Sequence, residues 1–232
     1  MKKLLILLIL SILAALIFSG CAEQRVWSYK ADTCVRTEPL VNKSVAVPPL
    51  ADNRKNENTN LIGLMYIPLM PYGWMNLNTP EWGQEHISSG LWLFRPTEDL
   101  AKAVAEEINN SGIFKEAFFT HRASEGELIL KGNLVSTFYN ANLISYCISF
   151  YSIYLWLIGL PAGSYANNLE ISFELAESST GKVLWNETYE KDFSKTFWMY
   201  APGADFRYDQ LLKEMMKEVI PSLKEKLANY QK

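Results

Sequence analysis

The chain has 232 residues, a formal net charge of −3 and 13% aromatic residues, Trp and Tyr prominent among them. That length suits one decorated domain or at most two. The mildly acidic balance, without a cluster of Lys and Arg, argues against nucleic acid as a partner.

Lys2 and Lys3 give a short positive start, and Leu4 to Phe18 is apolar but for Ser11. At about 1.5 Å per residue such a helix covers roughly 22 Å, short of a hydrocarbon core of about 30 Å. The order of charged, apolar and then small residues is that of a secretory signal. Ser19-Gly20-Cys21 resembles the lipobox of bacterial lipoproteins, with Phe18 where that family usually carries Leu. The resemblance implies cleavage before Cys21 and a covalent lipid on it, which is the one non-protein group expected. Acyl chains contribute about 0.8 kcal/mol per buried CH₂, so several on one residue anchor stably. The same resemblance implies, from Ala22 in place of an aspartate after the cysteine, export to the outer membrane, with the domain facing the periplasm. The expected organisation is a signal peptide over 1–20, a lipidated tether over 21–43 and one domain over 44–232.

In that domain Val45 and Val47 of "KSVAVPPL" (43–50) alternate in a strand closed by Pro48-Pro49. A polar loop, "ADNRKNEN", follows. Residues 58–80 carry no charge, and Pro68, Pro71 and Gly73 favour an apolar, aromatic loop over a regular element. The spacing of Leu100, Val104 and Ile108 predicts a helix over 95–112, with Thr97 as N-cap and Ser111-Gly112 as its stop. Strands are predicted at 113–119, at 127–138 and at 168–178, where Leu169, Ile171, Phe173 and Leu175 alternate with polar residues. "STGK" is a turn and 183–193 the returning strand. Leu212, Met215, Met216, Val219, Leu223 and Leu227 form the apolar stripe of a helix over 208–230, kinked or restarted at Pro221. The order predicts an α+β fold: a single twisted, mainly antiparallel sheet with two helices packed on one face, plus apolar inserts at 58–80 and 139–167.

The second insert holds "LISYCISFYSIYLWLIGL" (143–160), and no charge occurs between Lys131 and Glu170. Three readings stay open. As a helix it is just long enough to cross a bilayer, with Ser145, Ser149 and Ser152 on one stripe. As strands it alternates small and large side chains, as outer-membrane β-segments do. It is otherwise buried core. Tyr146, Phe150, Tyr151, Tyr154 and Trp156 offer more aromatic surface than one small sheet needs, so they are expected to contact a membrane, a partner or another copy.

No catalytic constellation stands out. His86 and His121 lack H-E-x-x-H or C-x-x-C company, so no metal site is expected. Neither accompanies a nucleophile motif such as G-x-S-x-G. "AESSTGKV" (176–183) mimics a P-loop, but Ala176 and Val183 stand where Gly and Ser or Thr belong, so it reads as a hairpin turn. Cys34 and Cys147 can pair in an oxidising compartment, but read better as buried small apolar residues.

"SVAVPPL", "DLAKAVAEEINNSGIFKEAFF", "GELILKGNLVSTF" and "LEISFELAESSTGKVLW" together resemble a periplasmic sheet-and-helix domain. It is the domain of the curli-secretion channel lipoproteins, of the N-terminal part of TolB and of auxiliary lipoproteins of ABC transporters. The resemblance spans about 43–195 outside the inserts. In the curli channel family a membrane-inserting segment occupies the place of 139–167, though here without a Gly-rich hairpin. The resemblance implies a lipid-anchored, non-enzymatic envelope protein, an accessory or assembly subunit of a transport, secretion or surface machine. A ring- or pore-forming outer-membrane secretion subunit is the alternative, and an envelope hydrolase the third reading.

Overall fold

The structure, a computed structural model, describes residues 25–32, 38–81, 92–201 and 206–228. The signal segment, Cys21, Cys34 and His86 lie outside the described residues.

Strand β1 (Arg25–Val26) is followed by β2 (Val41–Val47), β3 (Ala51–Asp52), β4 (Asn58–Leu61), a 3-10 turn (Ile62–Tyr66), β5 (Tyr72–Leu77) and β6 (Trp92–Leu93). Helix α1 (Pro96–Asn110) leads to β7 (Phe114–Phe119), β8 (Leu128–Ser136) and β9 (Tyr139–Ile144). A 3-10 turn (Ser149–Tyr151) and the short helix α2 (Ser152–Leu157) precede the long strands β10 (Gly163–Glu177) and β11 (Val183–Phe197), and α3 (Tyr208–Ala228) closes the fold. Nine strands form one mixed sheet in the order β4-β5-β9-β10-β8-β2-β7, with β11 on β10 and β3 on β8. Most pairs are antiparallel; β2 runs parallel to β7 and β8, and β3 parallel to β8. The α+β architecture is therefore the expected one. A separate parallel pair, β1 with β6, was not anticipated.

The core lies between this sheet and the long helices. Leu169, Ile171, Phe173 and Leu175 alternate inward on β10, and Leu128, Leu130 and Leu134 do so on β8. They meet Leu100, Val104 and Ile108 of α1 and the Leu212–Leu227 stripe of α3, all buried. Helix α3 runs through Pro221 without a break. Helix α1 ends as expected, with Ser111 as C-cap and Gly112 at φ 65°. Its start differs. Pro96 takes the first helical position, where its fixed φ fits, so the cap is Arg95 and not Thr97. The Asp99 carboxylate accepts the Arg95 backbone N–H at 2.8 Å.

Two more expectations change. The stretch 58–80 is not an irregular loop: β4 and β5 form an antiparallel ribbon that extends the sheet on β9. Pro68 and Pro71 fall in the connection between its elements. Gly73 sits inside β5 because a Cβ there would lie 2.1 Å from the Ile62 carbonyl oxygen. The segment expected as tether is also partly structured. Strand β2 begins at Val41, and Trp27 and Ala31 are buried. The Tyr29 hydroxyl donates to Glu107 of α1 at 2.6 Å, and Asp32 pairs with Lys213 of α3 at 2.6 Å. An apolar indole and a buried carboxylate acceptor give this segment a reason to lie on the helices.

Candidate functional site

Strands β5, β9, β10 and β11 end together, and three chain segments join there: 62–72, 145–162 and 197–201. None contains Asp, Glu, Lys or Arg. Among the described residues no helix is long and apolar enough to cross a membrane, so the spanning-helix reading of 143–160 falls. Beyond Ile144 the strand reading falls as well. Strand β9 stops at Ile144, and a turn and α2 follow, because Tyr146, Cys147 and Ser149 take left-handed φ values of 51°, 63° and 57°.

That conformation sorts the side chains. Ser145, Ser149 and Ser152 are buried, while Phe150, Tyr151 and Tyr154 are 57%, 54% and 64% exposed. The small residues fit where backbone approaches backbone. Ser145 N–H donates to Pro71 O at 2.9 Å, its hydroxyl donates to Met70 O, and the Ser149 hydroxyl donates to Tyr66 O at 2.5 Å. Leu69 N–H donates to Cys147 O at 3.1 Å. The third segment joins through Tyr200, whose hydroxyl donates to Leu157 O at 2.7 Å, and through Ala162 N–H to Phe197 O at 2.9 Å. Each non-glycine left-handed residue costs roughly 1–2 kcal/mol, and this lattice of bonds holds them.

The five aromatics singled out in the sequence divide in two. Phe150, Tyr151 and Tyr154 form an outward row, with ring centroids 4.1 Å and 6.5 Å apart. Tyr146 and Trp156 are half-buried and structural: the Tyr146 hydroxyl donates to Pro161 O at 2.8 Å, and Trp156 Nε1–H to Ile144 O at 3.0 Å. Desolvation raises the Tyr146 phenol above the ordinary tyrosine value. The sequence reading missed Leu69, Ile158 and Tyr200, which are 82%, 74% and 70% exposed beside that row. The uncharged run "TFWMYAPG" (196–203) was the available signal for the last of them. Cys147, expected to be buried, is a free, exposed thiol, because the turn carries it out of the strand line.

Polar chemistry lies elsewhere. Among the described residues no group of three or more His, Cys, Asp or Glu is placed to hold a metal. His121 packs edge-on against Phe119 with centroids 5.1 Å apart. The segment 178–182 is the β10–β11 turn, with Gly181 at φ 70°.

Leu69 gives a test of how rigidly this end is built. Its φ is 70° and its side chain stands in solvent. Leu69→Gly relieves a penalty of roughly 1–2 kcal/mol against an entropic cost of about 0.5–1 kcal/mol. Urea unfolding is expected to show unchanged or slightly raised stability, by up to about 1 kcal/mol. A clear loss would mean that Leu69 packs against the loops.

No family model matches this chain, and no curated protein matches it. Among solved structures, a Xanthomonas campestris protein of family DUF330 is similar at 14% identity and a TM-score of 0.46, over 91% of this chain and 100% of its own. A variant of PelC from Paraburkholderia phytofirmans, solved as a dodecamer, is similar at 14% identity and a TM-score of 0.35, over 84% of this chain and 94% of its own.

Proposed function

We propose that the chain is a lipid-anchored, non-enzymatic protein of the cell envelope, an accessory or assembly subunit of a transport, secretion or surface machine. It is held at the outer membrane by acyl chains on Cys21, with its domain in the periplasm. The observation that carries this reading is the uncharged end. Exposed apolar patches much beyond about 400 Å² mark contact surfaces in soluble domains. Here such side chains are presented outward by strained loops that a lattice of hydrogen bonds holds in place. A surface of hydrocarbon and phenol binds; it offers no general base beside a nucleophile. The charged, apolar and small-residue order that ends in Ser19-Gly20-Cys21 supports the anchor.

Cys21→Ser tests the anchor. The variant is expected to keep its signal segment and to carry no lipid, so that its intact mass is that of the unprocessed chain. A variant that still matures to the normal mass and partitions into detergent would overturn the reading.

A further inference from the structure

The uncharged end and the route of the N-terminal segment point the same way. Strand β10 pairs with β8 over 170–177 and with β9 over 163–167, so β8 and β9 follow one another along it toward that end. Strand β2 runs parallel to β8, and α1 begins beyond its C-terminal end, where Leu50 N–H donates to Thr97 O at 2.9 Å. The N-terminal segment runs parallel to α1. Asp32 O accepts from Asn110 at the end of the helix, and Trp27 packs on Phe94 just before its start, with centroids 5.2 Å apart. Followed backward from Asp32 to Arg25, the chain therefore heads toward the uncharged end.

The lengths agree as well. Phe94 stacks on Tyr208, whose hydroxyl donates to Thr137 O at 2.8 Å, and the neighbouring Phe206 meets Tyr139 edge-on. Trp27 is thus level with the start of β9. From Tyr139 to Ile144 the strand spans roughly 17 Å at about 3.4 Å per residue. The chain from Cys21 to Trp27 reaches at most about 20 Å. An acyl group on Cys21 and the loops beyond Ile144 can therefore meet one surface.

We infer that this surface is the lipid bilayer. On this reading the uncharged end is a foot that enters the headgroup region of the leaflet holding the Cys21 acyl chains. The inference rests on the lipid-anchor reading and adds the occupant of the apolar end and the orientation of the domain. The composition fits lipid: Tyr and Trp beside Leu, Ile and Phe are the side chains of membrane interfaces. Going away from that end along β4, β5, β9, β10 and β11, the first charge met is Lys195, exposed and in register with Tyr165. A cation one step above an apolar foot is placed for headgroup phosphates. The long axis of β10 and β11 then follows the bilayer normal. The 178–182 turn, roughly 46 Å from Gly163 at about 3.3 Å per residue, points away from the membrane.

Cys147 provides the probe. The full acylated chain carrying Cys34→Ser is spin-labelled at Cys147 and reconstituted in phosphatidylethanolamine–phosphatidylglycerol vesicles. A second sample carries Cys34→Ser, Cys147→Ser and Thr180→Cys. The ratio of oxygen to water-soluble nickel accessibility is expected to be several-fold higher at Cys147 than at position 180. Equal ratios in a protein that floats with the vesicles would overturn the foot and leave the anchor standing. A Cys147 label shielded from both reagents would overturn it too, and would assign the end to a protein contact. A protein that does not float would overturn the anchor, and the foot with it.

Discussion

Arg54→Met is expected to destabilise the domain by about 3–5 kcal/mol, the cost of removing one partner from a buried ion pair. The Arg54 side chain is 3% exposed, and all five of its N–H donors are used. Nε and Nη2 bind Asp52 at 2.9 and 2.8 Å, Nη1 and Nη2 bind Glu81 at 3.1 and 2.6 Å, and Nη1 binds the Thr137 hydroxyl at 2.6 Å. Thr137 joins β8 to β9, and its carbonyl accepts the Tyr208 hydroxyl. The guanidinium therefore clamps the segment that carries β4 and β5 to the point where the helix-covered part of the sheet meets the uncharged end. Methionine fills similar volume but leaves Glu81, whose side chain is 9% exposed, without its cation. Glu81→Gln added to Arg54→Met is expected to recover part of the loss, and a denaturant double-mutant cycle measures it. Acid is the second probe. Hydrogen bonds from Arg54 hold Asp52 below its ordinary value. Its contribution is therefore complete above the unfolded value of about 3.9, and is lost as pH falls through the lower folded value. The gap in stability between the natural protein and Arg54→Met should narrow over that acid range. A gap that stays constant would mean that the Asp52 pair adds nothing.

How legible the sequence was depends on how local the deciding physics is. The alternation of 169–175 and the Leu100-Val104-Ile108 spacing identified β10 and α1, because burial on one side of a regular element imposes its own period. Arg54 was not legible. It sits in "ADNRKNEN", where every neighbour is polar, and its burial depends on Glu81, 27 residues later. The ribbon of β4 and β5 was hidden for a related reason. Its Pro residues mark the turn between elements, not the absence of elements, and Gly73 is set by a backbone 11 residues away. At the uncharged end, composition marked 143–160 as a contact surface. It did not separate the three outward rings from Tyr146 and Trp156, which depends on left-handed φ values at Tyr146, Cys147 and Ser149. Leu69 lies in the apolar insert 58–80 but was not singled out there, and Tyr200, outside both inserts, joined the site through tertiary contact alone. The route of Trp27, Tyr29 and Ala31 over the helices shows no period, since an extended segment lying across two helices imposes none.

Phe173→Ala is the other large effect expected, again about 3–5 kcal/mol, from lost burial plus the cavity left behind. Phe173 is 1% exposed. On β8 it is in register with Gly132, and its ring lies near the place that a Cβ there would occupy, with Cδ1 3.6 Å away. A large side chain thus lies beside a missing one, a local fit that alanine cannot complete. On the other side its ring stacks on Trp185 with centroids 6.4 Å apart, and Trp185 Nε1–H donates to Ser222 of α3 at 3.1 Å. Phe173 therefore supports the contact between β10, β11 and α3. The next residue is the control. Glu174 points to the opposite face and pairs there with Lys131, its register partner on β8, at 3.3 Å. Both ends of that pair are in solvent, where such pairs are worth about 0–1 kcal/mol. Glu174→Ala should shift stability by no more than about 0.5 kcal/mol. Urea unfolding of the two variants at matched m-values reads the difference directly. A Phe173→Ala cost as small as that of Glu174→Ala would place the ring outside the core and the β10 register one residue out of step.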